Sequence, residues 1–322
     1  MENKWEKPGC NFCGSRQYKV IWKKVTTWIT RGEYQIVTCK KCGLVYLSPR
    51  PKKEYVSKYY PPETYWGKDL AKPLIERNLY SKMRDYNFIY NQILKRKNGS
   101  KILDLGAGTG EFLSEFKKLG WSTLGVELSG KACGYAKKAY GLKIIRGSFP
   151  EVRLPKGSYD VITFNGCLEH LYKPKQSLER VYKLLGNHGI VEINVPNFDS
   201  LGRLIFGKKW YALQPPSHLY YFTPVTISKT LKDIGFRNIK ISHNYRAQNI
   251  YILFESIRLS FSPRFKGKYV RDFVTTVNTK NKVNISIKMV ASKILARIIS
   301  FIVTDLEPLI KRGEVITIYA EK

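Results

Sequence analysis

The segment KILDLGAGTG, residues 101–110, limits what this chain can fold into more than any other stretch. An apolar run passes straight into a glycine-rich turn, and an amphipathic segment, EFLSEFKKLG, follows at once. Glycines there let the backbone turn tightly and approach a ligand at the carboxyl edge of a first strand, where doubly wound sheets bind nucleotides. The same alternation continues: STLGVELS, KIIRGSF, YDVITFNG and GIVEINVPN read as strands, KACGYAKKAYG and QSLERVYKLLG as helices. Such βαβα order implies an α/β fold with a mostly parallel sheet covered by helices. After residue 197 the order loosens, then TPVTISKTLKDIGF reads as a helix, NIKISHNY as a strand and VITIYAEK as a last, antiparallel strand.

The turn is not a dinucleotide fingerprint, because completing G-x-G-x-x-G requires glycine at 111, where this chain has Glu111. A carboxylate there is poorly suited to a pyrophosphate. A cationic ligand end suits Asp104, and Glu127, closing the second strand, is placed to accept both ribose hydroxyls of an adenosine. LDLGAGTG, the acidic GVELS and FNGCLEHLYKP together resemble class I S-adenosylmethionine (SAM) dependent methyltransferases, particularly the ubiquinone-biosynthesis and sugar methyltransferases. The resemblance covers residues 100–240 and implies a Rossmann-like, mostly parallel seven-stranded sheet. It also implies that Asp104, Gly106, Ala107, Gly108, Gly110, Glu127, Leu128 and Asn165 contact SAM, with Ser148 and Phe149 bordering the adenine. One departure is Arg146-Gly147-Ser148-Phe149, where the family often carries an acidic residue after the glycine.

Four of six cysteines form two Cys-x-x-Cys pairs, Cys10/Cys13 and Cys39/Cys42, each followed by glycine. Four thiolates satisfy a tetrahedral Zn2+ with no open position, so residues 1–50 read as a self-contained zinc ribbon with a structural ion. A redox dithiol pair and metal-free surface thiols are the alternatives. Cys133 and Cys167 have no partner pattern and read as buried small residues. Residues 51–95 then form a connector with a helix over 74–94, and the catalytic domain occupies 96–322.

Methyl transfer from a sulfonium needs alignment and, for some acceptors, a base. His170, with Glu169, follows the fourth strand and is the first candidate; His218, in QPPSHLYYFTP, is the second. The Glu169–His170 pair also reads as packing or orienting its loop; His218 lies in a stretch that reads as a lid or substrate wall, where Tyr220, Tyr221 and Phe222 read equally as core packing for the following helix.

The formal net charge is +31, with 56 Lys and Arg against 25 Asp and Glu, which points to a polyanionic partner: nucleic acid, an anionic membrane surface or a phosphorylated substrate. The charge concentrates in an insertion over 250–312, where IKMVASKILARIISFIV reads as a basic amphipathic helix for an anionic interface, a core-facing helix or a dimer contact. MENKWEKPGC lacks a signal-peptide core, so a cytoplasmic protein is expected, peripheral on the inner face of the membrane if the insertion binds lipid. The leading expectation is methylation of a sugar, a glycan-lipid intermediate or a related small molecule. An RNA methyltransferase is the enzyme alternative, although Asn165-Gly166-Cys167-Leu168 replaces an Asn-Pro-Pro-Tyr-like motif. A non-catalytic zinc-ribbon nucleic-acid-binding protein is the other.

Overall fold

The computed structural model describes residues 4–26, 32–56, 79–96, 100–155, 158–243, 246–261, 303, 306 and 308–322. Residues 287–302 of the amphipathic run 287–303 and residues 74–78 of the connector lie outside them.

The N-terminal part contains β1 (Trp5–Glu6), β2 (Tyr18–Thr26), β3 (Glu33–Cys39), β4 (Val45–Leu47) and β5 (Arg50–Pro51). Helix α1 (Leu79–Arg96) leads into β6 (Lys101–Leu105), α2 (Glu111–Lys118), β7 (Ser122–Glu127), α3 (Gly130–Tyr140), β8 (Ile144–Arg146), β9 (Tyr159–Asn165), α4 (Pro174–Leu184) and β10 (Leu185–Pro196). The chain continues through α5 (Leu201–Phe206), β11 (Tyr220–Tyr221), α6 (Pro224–Ile234), β12 (Arg237–Ser242), α7 (Arg246–Phe261) and β13 (Val315–Glu321).

The main sheet has seven strands in the order β12-β13-β10-β9-β6-β7-β8. Strands β10, β9, β6, β7 and β8 run parallel, whereas β13 pairs antiparallel with both β10 and β12. This is the Rossmann-like arrangement that the resemblance implies, with the expected antiparallel closing strand. The order reverses at β6, so the crevice for a ligand opens at the tip of β6, between its neighbours β7 and β9.

Local chemistry fixes the helices. The Ser129 side chain accepts the Ala132 N–H at the start of α3, and Gly141 ends that helix at φ 60°. Thr223 and Thr226 form a reciprocal capping box at α6, with a proline in its first turn. One sheet face buries Leu103, Ile162, Phe164, Val191 and Ile318 with Leu178 of α4 and Leu231 of α6. The other buries Ile102, Val161, Ile190 and Val315 with Ile89 and Ile93 of α1 and Ile252 of α7. Among the described residues, no helix is long and apolar enough to cross a membrane.

The N-terminal sheet is not closed on itself. Its order is β11-β4-β3-β2, so its outer strand is Tyr220–Tyr221 from the far end of the chain. Tyr220, Tyr221 and Phe222, between a wall and core packing in sequence terms, are fully buried core residues.

Candidate active site

Strand β6 carries Asp104 and β7 carries Glu127 to neighbouring strand tips. The intervening loop is pinned by Gly106 and Ala107, whose N–H groups both donate to the Val126 carbonyl, at 2.8 and 3.0 Å. Gly106 has φ +85°, and a Cβ there would sit 2.8 Å from the Cys167 side chain. Only glycine therefore lets this loop meet the turn after β9 so closely. Gly110 packs against Ala136 and Leu142 and starts α2.

Glu127 accepts the Gly108 N–H at 3.0 Å on one oxygen and the Ser129 N–H at 2.7 Å on the other. Burial raises its pKa against the pull of these hydrogen bonds. Asp104, 2% exposed, accepts the Thr163 hydroxyl at 2.7 Å. Burial, reinforced by the Glu127 charge and opposed by Thr163, pushes Asp104 up to about 7. The crevice thus has a carboxylate on each side of a glycine loop, one held by backbone amides and one poised to titrate near neutrality. Glu111, next in sequence, instead takes the Thr109 hydroxyl.

Leu128 stands beside this crevice 53% exposed, an apolar surface suited to cover a planar base. Ser148 is half-buried. The Phe149 ring packs edge-on against Phe164 at 6.1 Å with the Arg180 guanidinium over it at 5.1 Å. It belongs to the core, which leaves its backbone to border a ligand.

The turn after β9, Leu168–His170, carries Glu169 and His170. His218 meets them from the segment before β11, and the two imidazoles contact edge-on at 4.7 Å. His170 Nδ1 lies 2.8 Å from the Ser217 carbonyl, and His218 Nδ1 2.8 Å from the Ala212 carbonyl. Burial pushes Glu169 up to about 8, His170 down to about 4 and His218 well below the usual histidine range. The structure therefore brings together all three residues singled out for catalysis, with both rings neutral. Cys133 and Cys167 are half-buried rather than fully buried: the Cys133 thiol points to the Glu127 carbonyl at 3.6 Å, and the Cys167 side chain faces Gly106.

Sequence reasoning missed a polar row on the sheet face beneath α1 and α7. Register places Asp104 beside Thr163, Thr163 beside Glu192 and Glu192 beside Tyr319, on one face of four adjacent strands. Nearer the strand tips, Asn165 neighbours Asn194, whose amide donates to Thr317 at 2.9 Å. The Asn165 amide faces Asp104, and among the described residues both Glu192 oxygens and the Tyr319 hydroxyl are buried without a hydrogen-bond partner. Burial, with the Asp104 charge, drives the Glu192 pKa well up, so this carboxyl is held neutral. The available signal was Glu192 and Asn194 at alternate positions of GIVEINVPN, a strand that should be apolar on both faces.

The four N-terminal cysteine sulfurs also converge. Cys10 and Cys42 Sγ are 3.4 Å apart, Cys13 and Cys39 Sγ 3.5 Å, and all four lie within 4.8 Å of one another. Gly14 and Gly43, at φ +74° and +78°, close each knuckle with N–H groups that donate back to the Cys10 and Cys39 carbonyls.

A family model described as a methyltransferase domain matches residues 76–241. An uncharacterized methyltransferase of Bacillus licheniformis is 29% identical over 130 residues, 38% of this chain and 61% of that protein. A probable S-adenosylmethionine-dependent methyltransferase of Mycolicibacterium smegmatis is 23% identical over 164 residues, 51% of this chain and 61% of that protein. The mitochondrial ubiquinone biosynthesis O-methyltransferase of Schizosaccharomyces pombe is 29% identical over 125 residues, 35% of this chain and 45% of that protein. The chain spans less than two thirds of the length of each of these curated relatives. The family match takes in just over half of the chain, from the helix before β6 through β12, and on that ground the chain belongs to the methyltransferase domain family.

Proposed function

We propose that the chain transfers a methyl group from SAM to a polar acceptor of the sugar class, free or lipid-linked, and that Cys10, Cys13, Cys39 and Cys42 hold a structural zinc ion. The observation that carries the first part is the pair of buried carboxylates, Asp104 and Glu127, on neighbouring strand tips across the glycine loop. SAM supplies, when bound, a methyl group on a cationic sulfonium. Glu127 is placed to accept a ribose diol, Asp104 to receive the cationic methionine end, and Leu128 to cover the adenine. Asn165 borders Asp104, and Glu192 continues the same sheet face with both carboxyl oxygens buried and unpartnered among the described residues, which suits an acceptor bearing several hydroxyls.

For zinc, a Zn–S bond of about 2.3 Å places neighbouring sulfurs about 3.8 Å apart in a tetrahedron. The cysteine separations of 3.4 and 3.5 Å fit that geometry. The net charge of +31 supports an anionic surface or phosphorylated group near the acceptor, with the membrane face as the site of a lipid-linked one.

Incubation of the full chain with methyl-labelled SAM and separated pools of sugars, lipid-linked glycans and RNA tests the reading. Label is expected in the sugar or lipid-linked pool. Label confined to RNA would replace the acceptor, and no heat on calorimetric titration with SAM would remove the enzyme reading altogether.

A further inference from the structure

We propose that Glu169, His170 and His218 form a second metal centre, which holds a divalent cation of the zinc class at the crevice edge. The proton positions point to it. A backbone carbonyl can only accept, so the contacts of His170 Nδ1 with Ser217 O and His218 Nδ1 with Ala212 O place the ring proton on Nδ1 in both histidines. Each neutral ring then presents the Nε2 lone pair, the tautomer and carbonyl support usual in metal-ligating histidines.

Glu169 is 3% exposed, its Oε1 lies 4.0 Å from His170 Nε2, and its Oε2 has no hydrogen-bond partner among the described residues. One ligand atom from each of the three residues lies within 4.8 Å of the others. With Glu169 ionised, two imidazole nitrogens and a carboxylate offer one cation three converging acceptor atoms in a buried place. Zinc–ligand bonds of about 2.0–2.2 Å put the ligands of one ion about 3–4 Å apart, so small side-chain shifts close the set.

Three protein ligands leave a coordination position open, unlike the four cysteines. The turn bearing Glu169 abuts the glycine loop through Gly106 and Cys167, which puts the cluster close to the candidate methyl-transfer site. There the centre deepens, and rests on, the methyltransferase reading. An acceptor hydroxyl bound to the cation releases its proton to solvent, its oxygen takes the methyl group, and the sulfonium sulfur keeps the bonding electron pair. A cation can lower the pKa of bound water to about 7.

The test uses the full chain, stripped with chelator and reloaded with cobalt(II) or zinc, as wild type, Glu169→Gln and His218→Gln. Wild type is expected to hold about one more metal equivalent per chain than either variant, and its cobalt spectrum to lose nitrogen/oxygen-type visible bands in both variants while any thiolate charge-transfer band persists. Equal metal content in all three proteins, with circular dichroism showing them folded, would overturn the centre and leave a proton shared between Glu169 and an imidazole as the occupant. SAM calorimetry on the same samples separates the two readings. Metal loss in the variants with SAM heat retained supports both; metal loss with no SAM heat in any protein keeps the centre and discards methyl transfer.

Discussion

Lowering the pH from about 7 to about 5.5 should weaken SAM binding roughly fifteenfold, because Asp104 must be ionised to receive a cation and titrates at about 7 in the free protein. The ionised fraction falls from about one half to about 0.03 over that range. The upper bound of the window is set by the ligand, whose α-amino group itself loses charge near about 7.7–8.0. For stability the sign runs the other way. A carboxyl pKa raised from 3.8 to about 7 favours the folded state fully below the unfolded value and loses that contribution as pH climbs through 7, an effect of order 4 kcal/mol. Glu169 acts in the same direction, while the depressed His170 and His218 weaken the fold as pH falls, so thermal unfolding alone does not isolate Asp104.

Binding does isolate it. Calorimetric titration at pH 6 in buffers of different ionisation enthalpy should report release of about 0.9 proton per SAM bound. Asp104→Asn should abolish both the pH slope and the proton release, and should weaken binding at pH 7 by about 1.5–3 kcal/mol for the lost charge-assisted hydrogen bond. A dissociation constant that stays level from pH 5.5 to 7 in wild type, with no proton exchanged, would show that Asp104 does not meet the ligand's charge.

Glu127→Ala strips the acceptors of the Gly108 and Ser129 N–H groups along with the ribose contact, and should weaken SAM about a hundredfold by calorimetry; an unchanged affinity would place the ribose elsewhere. Glu192→Met replaces a buried, unpartnered carboxyl with an apolar chain of similar size, so scanning calorimetry should show a rise in Tm of a few degrees, about 1–3 kcal/mol, together with a higher KM for the acceptor. A lower Tm would mean that Glu192 has a structural partner. Arg50→Met removes bonds to Glu6 at 2.6 Å and to the Tyr220 hydroxyl at 2.9 Å and a cation–π contact with Tyr172 at 4.6 Å. With Glu6 partly exposed, urea unfolding should register a loss of about 2–3 kcal/mol, and no loss would mean that this junction does not hold the N-terminal sheet.

The seven strands were legible because each is a short apolar run bounded by turn residues, and the crevice was legible because its glycines and Glu127 sit at fixed offsets along one βαβ unit. Features assembled from distant parts of the chain were not. The polar row draws Asp104, Thr163, Glu192 and Tyr319 from four strands, so no local window contains it. Order after residue 197 was hidden for the same reason. Glu314 there accepts the Gly202 N–H at 2.6 Å, the Ser200 hydroxyl at 3.1 Å and the Trp210 indole N–H, pinning residues 200–210 from more than a hundred positions away. Tyr220 and Tyr221 read as either wall or core because their strand partner, Val45–Tyr46, lies near the other end of the sequence.

That pairing explains why a cysteine knuckle belongs next to this crevice. The Leu219 N–H donates to the Glu169 carbonyl at 2.9 Å, and the Leu219 carbonyl accepts the Leu47 N–H at 2.9 Å. One peptide segment, adjacent to His218, is thus held from one side by the turn that carries Glu169 and His170, and from the other by the N-terminal sheet. The first knuckle is docked as well: the Asn11 side chain accepts the Lys175 N–H at 2.9 Å in the first turn of α4, and Phe12 stacks on Phe222 at 5.9 Å. Each such hydrogen bond contributes only about 1 kcal/mol, but together with the buried rings they oppose displacement of His218, which a free surface loop would not. The cysteine cluster is thus tied to the segment that carries His218 through β4, on which β11 pairs, although the two sites share no residue.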